Sequence, residues 1–465
     1  MSKQRLLPES IRQIWTKPSH LFSRRVQPTA KPQPLPPDSA NYGKSRSEQP
    51  PQSQEQQRLP TVSMQLDAKF PAQVKMLVFE KSQSDPCNQS DPCKKYHMYC
   101  FTKGESTELD IEVSCPALRF SEFDYKSPWL FIFDSKRISS QGNEKFINWL
   151  KRNLLDYGKD FVLIVYNESN CHDLAWELIH IDLSRAESQQ MGIDLDGEVP
   201  IGALAKIVHW GSALDYYKKS NLTIAPSIAK GSIVAYVDQS MEQDKQALKH
   251  FHHHACDDLV SVEERLMQPL ADVGLVYLAC HGVFQLDPSS RLEQYLKETP
   301  HPDGKREVNQ RRLSYETLFN LEALDWASRP VVIVNACFSS LCFSEAENHL
   351  VGLPVGFLQR IARAYIGCLN AVGKDRAKVI WEKLTNAVLV NADQGALLTD
   401  VLRDLRLEAF RSLRNWHRPH VRDTEPGKDA ALDFIDTFMY VYFGNPLERL
   451  QLTPSTPPDQ PGDLL

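Results

Sequence analysis

Two short apolar runs stand out in the second half of the chain, VGLVYLA at residues 273–279 and VVIVNA at residues 331–336. They are too short for helices, they lack the alternation of half-exposed strands, and they are rich in Val, Ile and Tyr. Such runs are typical of buried parallel strands. The residues that follow them are therefore expected at the carboxyl ends of strands, the edge at which open α/β sheets bind ligands.

Similar runs recur on both sides of this pair and alternate with amphipathic stretches. In the first half the predicted strands are VKMLVFE and YHMYCFT, paired as a hairpin, then LDIEVS, WLFIFD and FVLIVYN, with FINWLKRNLLDYG as a helix. In the second half the predicted strands are SIVAYVDQ, AYIGCLNAVG and YVYFG, and the predicted helices are KQALKHFHHH, SVEERLMQPLADV, LPVGFLQRIAR, AKVIWEKLTNAVLV and GALLTDVLRDLRLEAFRSL. Residues 287–312 and the stretch that ends near residue 429 are predicted as polar loops. Alternation of this kind predicts an α/β fold with a mostly parallel sheet flanked by helices.

Composition sets the two ends of the 465-residue chain apart from its interior. Residues 1–62 are dominated by Pro, Gln and Ser and predict a disordered basic arm, and residues 451–465 predict a Pro-rich tail. The interior divides into an N-terminal α/β half, residues 63–225, and a C-terminal half with both apolar runs, residues 226–450. The arm also resembles an organelle transit peptide, but Pro8 and Pro18 interrupt the helix that a transit peptide requires, so a solvated arm is favoured.

Charge and cysteine usage narrow the class of protein. A net charge of −6 is mild and argues against general nucleic-acid binding. The ten cysteines are scattered without a dense framework, which suits a reducing compartment. The sequence contains no run long enough to span a bilayer and no signal-peptide core at its start. A cytoplasmic protein without stable membrane insertion is the expectation.

Each of the two apolar runs is followed by a reactive residue. Cys280-His281-Gly282 follows the first and Cys337 follows the second, so a thiol and an imidazole are expected at one sheet edge. In this reading His281 is the base and acid and Cys337 the nucleophile, because an imidazole raises the thiolate fraction of a neighbouring thiol. The N–H groups of Gly282 and Cys337 are predicted to form an oxyanion hole. Either residue alone is more often a turn histidine or an ordinary buried thiol, but the two together at strand ends favour catalysis.

Two clusters raise the alternative of a metal site. Cys87, Cys93, His97 and Cys100 lie within fourteen residues, but their spacing is not a common zinc pattern, and the repeated SDPC is itself a turn signal. The stretch from His252 to His254, with Cys256, is predicted as surface residues of a helix. No metal and no cofactor are therefore expected.

The sequence resembles the CHAT family of caspase-like proteases, which belongs to the clan that also holds separase. The motifs that carry the resemblance are WELIHID, VYLACHG, LSYETLFNLEAL, VVIVNACFS and MYVYFGNP, found in that order between about residues 74 and 450. His281 and Cys337 lie 56 residues apart, close to the separation of about 50 in caspases. The sequence departs from the family at NAVGKDRA, residues 370–377, where a Trp and an acidic residue are common.

The resemblance implies a caspase-like sheet with a non-catalytic N-terminal α/β half packed beside it. It also implies limited proteolysis of a partner protein, in a cell-death or defence pathway such as gasdermin activation, and leaves a regulatory partner open. A catalytically silent caspase-like scaffold is the rival hypothesis. A metal-dependent hydrolase is a weaker one, because no acidic residues lie at metal-ligand spacing near His281.

Specificity is predicted from the loop DQSMEQD after the strand SIVAYVDQ. Its acids Asp238, Glu242 and Asp244, with Asn335 two residues before the nucleophile, are expected to form a pocket for a basic residue before the cut. The alternatives are solvated loop charges, with an apolar pocket lined by residues such as Phe338. A basic preference would make KREVNQRR, residues 305–312, a self-processing site.

Overall fold

The structure, a computed structural model, describes residues 71–81, 96–101, 107–113, 117–120, 123–140, 143–167, 173–210, 224–286, 292–299, 312–325, 328–344 and 350–455. The chain divides into two compact units, Met1–Leu66 and Asp67–Leu465, and every described residue belongs to the second. The predicted arm, the loop with Cys87 and Cys93, and nearly all of KREVNQRR lie outside the described residues. No helix in the described part of the chain is long and apolar enough to cross a membrane.

The N-terminal half contributes seven of the described strands and three α-helices. The strands are β1 (Val74–Lys81), β2 (Tyr96–Phe101), β3 (Thr107–Val113), β4 (Val162–Asn167), β5 (His180–Leu183), β6 (Gly197–Pro200) and β7 (Lys206–Trp210). The helices are α1 (Pro128–Ser140), α2 (Glu144–Tyr157) and α3 (Arg185–Gln190). The predicted hairpin is confirmed, because β1 and β2 pair antiparallel from Met76↔Phe101 to Lys81↔Tyr96.

The C-terminal half carries the remaining elements. Its strands are β8 (Ser227–Val237), β9 (His253–Cys256), β10 (Val273–Ala279), β11 (His281–Leu286), β12 (Leu292–Lys297), β13 (Arg312–Ser314), β14 (Val331–Asn335), β15 (Phe343–Ser344), β16 (Leu350–Val351), β17 (Ala364–Cys368), β18 (Ala396–Leu397), β19 (Tyr440–Gly444) and β20 (Glu448–Leu452). Its helices are α4 (Lys245–Leu248), α5 (Leu259–Leu266), α6 (Tyr315–Phe319), α7 (Leu353–Arg360), α8 (Lys374–Val390), α9 (Leu398–Arg414), α10 (Pro419–Arg422) and α11 (Glu425–Phe438).

One sheet of thirteen described strands runs through both halves, in the order β18-β20-β8-β10-β14-β17-β19-β7-β4-β1-β2-β3, with β9 paired to β8. Strands β8, β10, β14 and β17 pair in parallel, and so do β7, β4 and β1. The two apolar runs form β10 and β14, and every residue of both strands is buried. The predicted α/β fold with a mostly parallel sheet flanked by helices is confirmed.

The two halves meet along β19. This strand pairs antiparallel with β17 on one side and parallel with β7 on the other. The N-terminal half therefore continues the sheet of the C-terminal half edge to edge. The division predicted at residues 225 and 226 falls between β7 and β8 and stays a prediction.

The segment WLFIFD is a helix, and the prediction of a strand there is wrong. It forms the start of α1, which buries Trp129, Ile132, Ser135 and Ser139 while Leu130 is 60% exposed. Buried positions three and four residues apart define one helical face, and Pro128 stands at the first helical position, where its missing N–H costs nothing. The dense apolar run had concealed this periodicity.

Three further elements differ from the sequence prediction. The helix in KQALKHFHHH ends at Leu248, and residues 253–256 form strand β9, parallel to β8 from Ile233↔His253. The polar connection at 287–312 contains β12, which pairs with β11. The polar stretch before residue 429 already contains the start of α11, where the Thr424 side chain accepts a hydrogen bond from the Gly427 N–H.

Candidate active site

The site lies where β10 and β14 end. The two strands pair in parallel up to Ala279↔Asn335, and His281 and Cys337 each follow two residues later. Because neighbouring strands are about 4.8 Å apart, equal register places the imidazole-bearing and thiol-bearing residues side by side at one edge. The structure therefore brings the two predicted residues together.

Gly282 lies directly against the backbone of Cys337. A Cβ atom placed on Gly282 would overlap the carbonyl oxygen of Cys337 and lie 3.1 Å from its nitrogen. Glycine is required here by this close approach rather than by its own dihedral angles. The two N–H groups predicted as an oxyanion hole therefore belong to neighbouring stretches of backbone.

His281 is half-buried and is held by two hydroxyl groups. Its Nε2 lies 3.2 Å from Ser240 Oγ and 3.0 Å from Thr299 Oγ1, and both hydroxyls also lie on Oδ1 of Asp238, at 2.6 and 2.5 Å. An ionised carboxylate only accepts, so each hydroxyl donates its one proton to Asp238 and turns lone pairs toward the imidazole. Nε2 of His281 then carries the hydrogen, and Nδ1 is the free basic nitrogen.

The ionisation states of these groups follow from burial and hydrogen bonding. Burial raises the pKa of the Asp238 carboxyl, but hydrogen bonds from Ser240 and Thr299 together outweigh it and hold that pKa below its usual value. Burial lowers the pKa of His281, and the Asp238 charge offsets this only in part. Near neutral pH Asp238 is therefore charged and His281 is neutral, the form in which a histidine acts as a base.

Cys337 is a free, half-buried thiol beside the chain that leaves β17. The Val372 N–H points at its Sγ from 3.5 Å, and the Val372 carbonyl oxygen lies 3.8 Å from the same sulfur. Burial raises the pKa of the Cys337 thiol, and the hydrogen bond from Val372 opposes the rise without reversing it. At rest Cys337 is thus a neutral thiol and His281 a neutral imidazole.

The residue after the thiol has a strained backbone. Phe338 has φ of +57°, and it is the only non-glycine residue with positive φ in the described part of the chain. Strain of this kind costs on the order of 1–3 kcal/mol and persists where the surroundings enforce it. The Phe338 N–H donates to the Asn370 carbonyl at 3.1 Å, and its own carbonyl accepts from Gln294 Nε2 at 2.5 Å. These two bonds fix the turn that presents Cys337.

Several of these residues were missed by sequence reasoning. Ser240 stands inside DQSMEQD, but only the acids of that loop were considered. Gln294 is a buried polar residue within β12, and an unexpected polar position in a strand is a signal that could have been read. Nothing local to Thr299 or Asn370 marks them, since their roles depend on contacts 61 and 32 residues away.

Two residues of the predicted specificity pocket face the interior instead. Asn335 donates to Asp244 Oδ2 at 3.1 Å and to the Tyr277 hydroxyl at 3.0 Å, and it accepts from the Tyr440 hydroxyl at 2.5 Å. Both Asn335 and Asp244 are only 2% exposed. The structure differs from the prediction here because Asn335 is the last paired residue of β14, so its side chain packs beneath the sheet edge.

Of the other two predicted pocket residues, Asp238 is buried and Glu242 is exposed. Asp238 is buried and turned toward His281, as described above. Glu242 is exposed, with its carboxylate 3.5 Å from Lys245 Nζ, as the alternative of solvated loop charges expected. Phe338 is 4% exposed and packs near Phe284, with ring centroids 6.4 Å apart, so it does not line an open apolar pocket. The four predicted residues do not form one pocket, because Asn335 and Asp244 meet in the interior while Glu242 is exposed.

The described residues of the two candidate metal clusters do not gather into a ligand set. Within the described ranges, no group of three or more His, Cys, Asp or Glu side chains could hold a metal ion. His97 bonds to Asp110, and Cys100 is buried. The side chains of residues 252–254 are exposed along β9 and the turn before it.

The fold and site together define an α/β protein that carries a thiol and an imidazole at the carboxyl ends of adjacent parallel strands. Residues 227–421 match the family model described as the CHAT domain. The predicted family resemblance is therefore confirmed for the part of the chain that carries the site. A search of curated proteins gave no match.

Two solved protease structures are similar to parts of this chain. The Arg-specific cysteine proteinase gingipain R, from Porphyromonas gingivalis, is 10% identical over 68% of this chain and 71% of its own, with a TM-score of 0.39. Separase in the Saccharomyces cerevisiae separase–securin complex is 11% identical over 62% of this chain and 16% of its own, with a TM-score of 0.35. Likeness this weak carries no argument about substrate or catalytic residues.

Proposed function

We propose that this chain is a caspase-like cysteine endopeptidase in which Cys337 is the nucleophile and His281 the general base. The observation that supports it most is the meeting of Gly282 with the Cys337 backbone, while His281 is held with Nδ1 free. This arrangement supplies a nucleophile, an oriented base and two neighbouring N–H groups in one place.

The first half of the reaction forms a thioester. The Cys337 sulfur attacks the scissile carbonyl carbon as His281 Nδ1 takes the thiol proton, because the resting pair is neutral. Negative charge develops on the carbonyl oxygen, where the N–H groups of Gly282 and Cys337 stabilise it. As the tetrahedral intermediate collapses, the C–N bond breaks and the His281 imidazolium gives its proton to the leaving amine.

The second half returns the free thiol. His281, neutral again, takes a proton from water as the water oxygen attacks the thioester carbonyl, and the C–S bond breaks with return of a proton to sulfur. Asp238 acts through the Ser240 and Thr299 hydroxyls, since its charge favours the imidazolium that forms twice in each cycle. Each of these steps uses groups of the chain itself.

The proposed substrate is a partner protein that is cut at few sites. The family suggests a cytoplasmic cell-death or defence pathway, such as gasdermin activation, and this step rests on analogy. Preference for a basic residue before the cut stays a prediction. Among the three loop acids, Glu242 is the one whose carboxylate is exposed to solvent and to a substrate side chain.

Profiling of protein N-termini in cell extract tests the proposal. Wild type should generate new N-termini that Cys337→Ala and His281→Ala do not, and peptides ending in Arg, Lys, Leu or Asp then rank specificity. Equal cleavage by wild type and Cys337→Ala would refute the protease. Absence of cleavage by all three proteins, with partners retained on the fold, would favour the silent scaffold.

A further inference from the structure

Strand β12 is the neighbour of β11, the strand that begins at His281. It pairs antiparallel with β11, with His281↔Lys297 and Gly282↔Leu296 in register. The strand that carries the base and the close-approach glycine is therefore supported along its length by residues 292–297.

The Gln294 side chain on β12 links two backbone segments, the turn after Cys337 and the start of α7. Its side chain is 4% exposed, its Nε2 donates to the carbonyl of Phe338 at 2.5 Å, and its Oε1 accepts from the Leu353 N–H at 2.7 Å. One amide thus uses its donor on the strained turn and its acceptor on the start of α7. The same carbonyl also accepts from the Leu341 N–H at 3.2 Å within the turn, so the Gln294 amide is the bond that ties this turn to β12.

Thr299, two residues beyond the end of β12, reaches the base side. Its N–H donates to Asp238 Oδ2 at 2.7 Å, and its hydroxyl lies between Asp238 and His281. One segment of eight residues, 292–299, therefore touches the turn that presents the nucleophile and the groups that orient the base.

We infer that Gln294 and Thr299 are positioning residues that set the nucleophile and the base relative to each other from a single segment. Neither touches the reacting atoms. The inference rests on the proposed peptidase function and adds residues to it that lie outside the dyad. A displacement of about 1 Å between reacting groups can cost about 10²-fold in rate. Loss of the Gln294 bond to the Phe338 turn is therefore expected to lower kcat more than it changes KM.

The experiment compares two replacements of Gln294 on a peptide that wild type hydrolyses. Gln294→Met removes the donor at every pH and should lower kcat/KM about 10²-fold with KM within about threefold. Gln294→Glu keeps the acceptor for Leu353 but donates to Phe338 only when protonated. Its activity relative to wild type should therefore fall as pH rises from 6 to 9, whereas the ratio for Gln294→Met should stay flat.

Two controls separate positioning from folding. Gln285→Met on β11 removes an amide of the same kind, which donates to the Tyr295 hydroxyl at 3.2 Å, and should leave kcat within about threefold. Thr299→Ser keeps the hydroxyl and should retain activity that Thr299→Val loses. Gln294→Met and Thr299→Val combined should lose less than the product of their separate losses, since both act on one unit.

The outcomes distinguish this inference from the function on which it rests. An active wild type with Gln294→Met within threefold of it, or a flat pH ratio for Gln294→Glu, overturns the positioning roles alone. If Gln294→Met does not fold, the pH ratio of Gln294→Glu still decides. A wild type inert toward every peptide and extract protein overturns the peptidase and the positioning roles together.

Discussion

Two histidines near carboxylates in the described part of the chain, His209 and His281, have different surroundings. His209 on β7 bonds directly to Glu177, Nε2 to Oε1 at 2.8 Å, and Arg406 Nη2 lies 3.3 Å from the same oxygen. His281 reaches Asp238 only through two hydroxyls and is half-exposed at a strand end. The first histidine is closed in by charged partners inside the sheet, and the second keeps one nitrogen free at an open edge.

The carboxylate of the His209 pair is also held by charged groups, whereas that of the His281 pair is held by hydroxyls. Burial raises the pKa of Glu177, but the charges of His209 and Arg406 outweigh it and hold that pKa below its usual value. This cluster joins the N-terminal half, through β7, to α9 and β19 of the C-terminal half, because Arg406 also donates to the Tyr440 carbonyl at 2.5 Å. A histidine beside a carboxylate is thus not itself a catalytic sign. An open edge and a neighbouring thiol are also needed.

The largest expected effect is on the open pair. His281→Ala and Cys337→Ala should each lower kcat/KM at least about 10³-fold, because residues that act as a unit fail together. The free energy of unfolding should stay within about 1 kcal/mol of wild type, since both side chains lie at the sheet edge. Peptide hydrolysis and urea unfolding measure the two quantities. Substantial activity in either variant would place the chemistry elsewhere.

The closed pair should show the reverse behaviour. Arg406→Met removes the guanidinium from the buried carboxylate of Glu177 and should cost about 3–5 kcal/mol of unfolding free energy, with kcat per folded molecule little changed. Arg414→Met on the same helix breaks the exposed pair with Asp196 and should leave the free energy of unfolding nearly unchanged. Urea unfolding of both variants checks this. An equal loss of unfolding free energy in the two variants would show that the buried cluster stabilises the fold no more than the exposed pair does.

A third prediction concerns pH. Burial places the pKa of His281 below its ordinary value of 6.5, and protonation removes the base, so kcat/KM should fall only as pH drops below 6.5. Asp238→Asn removes the charge that raises this pKa, so the acid limb should move to still lower pH as activity decreases. A pH–rate profile of both proteins tests the sign. An acid limb that moves to higher pH in Asp238→Asn would contradict the hydroxyl-mediated link.

The smallest effect is expected from residues 1–62. Their Pro- and Gln-rich composition offers little apolar surface with which to shape an active site, so deletion should leave kcat/KM within about threefold. Kinetics of the shortened chain on the same peptide provide the measurement. A loss of tenfold or more would mean that this arm contributes to the site.

Local pattern was enough to predict the strands that carry the site, because VGLVYLA and VVIVNA are almost wholly apolar and are closely followed by His281 and Cys337. The family motifs pointed to the same two residues. The pattern failed at WLFIFD, where helical periodicity is hidden in a run of large apolar side chains. It also failed for Asn335 and Asp244, whose partners Tyr277 and Tyr440 lie far away in sequence and meet them only in the folded sheet. Long-range hydrogen bonds of that kind leave no local trace.

The place of β19 has a consequence for how the protein is made. Residues 440–444 fill the gap between β7 and β17, strands that leave the ribosome at least 70 residues earlier. Until then the nascent chain holds two part-sheets with open edges, and such edges invite pairing with other chains. The Tyr440 hydroxyl that bonds Asn335, two residues before Cys337, also arrives only with this strand. Translation that stops short of β19 therefore yields both halves of the sheet without the strand that joins them and without the Tyr440 bond to Asn335.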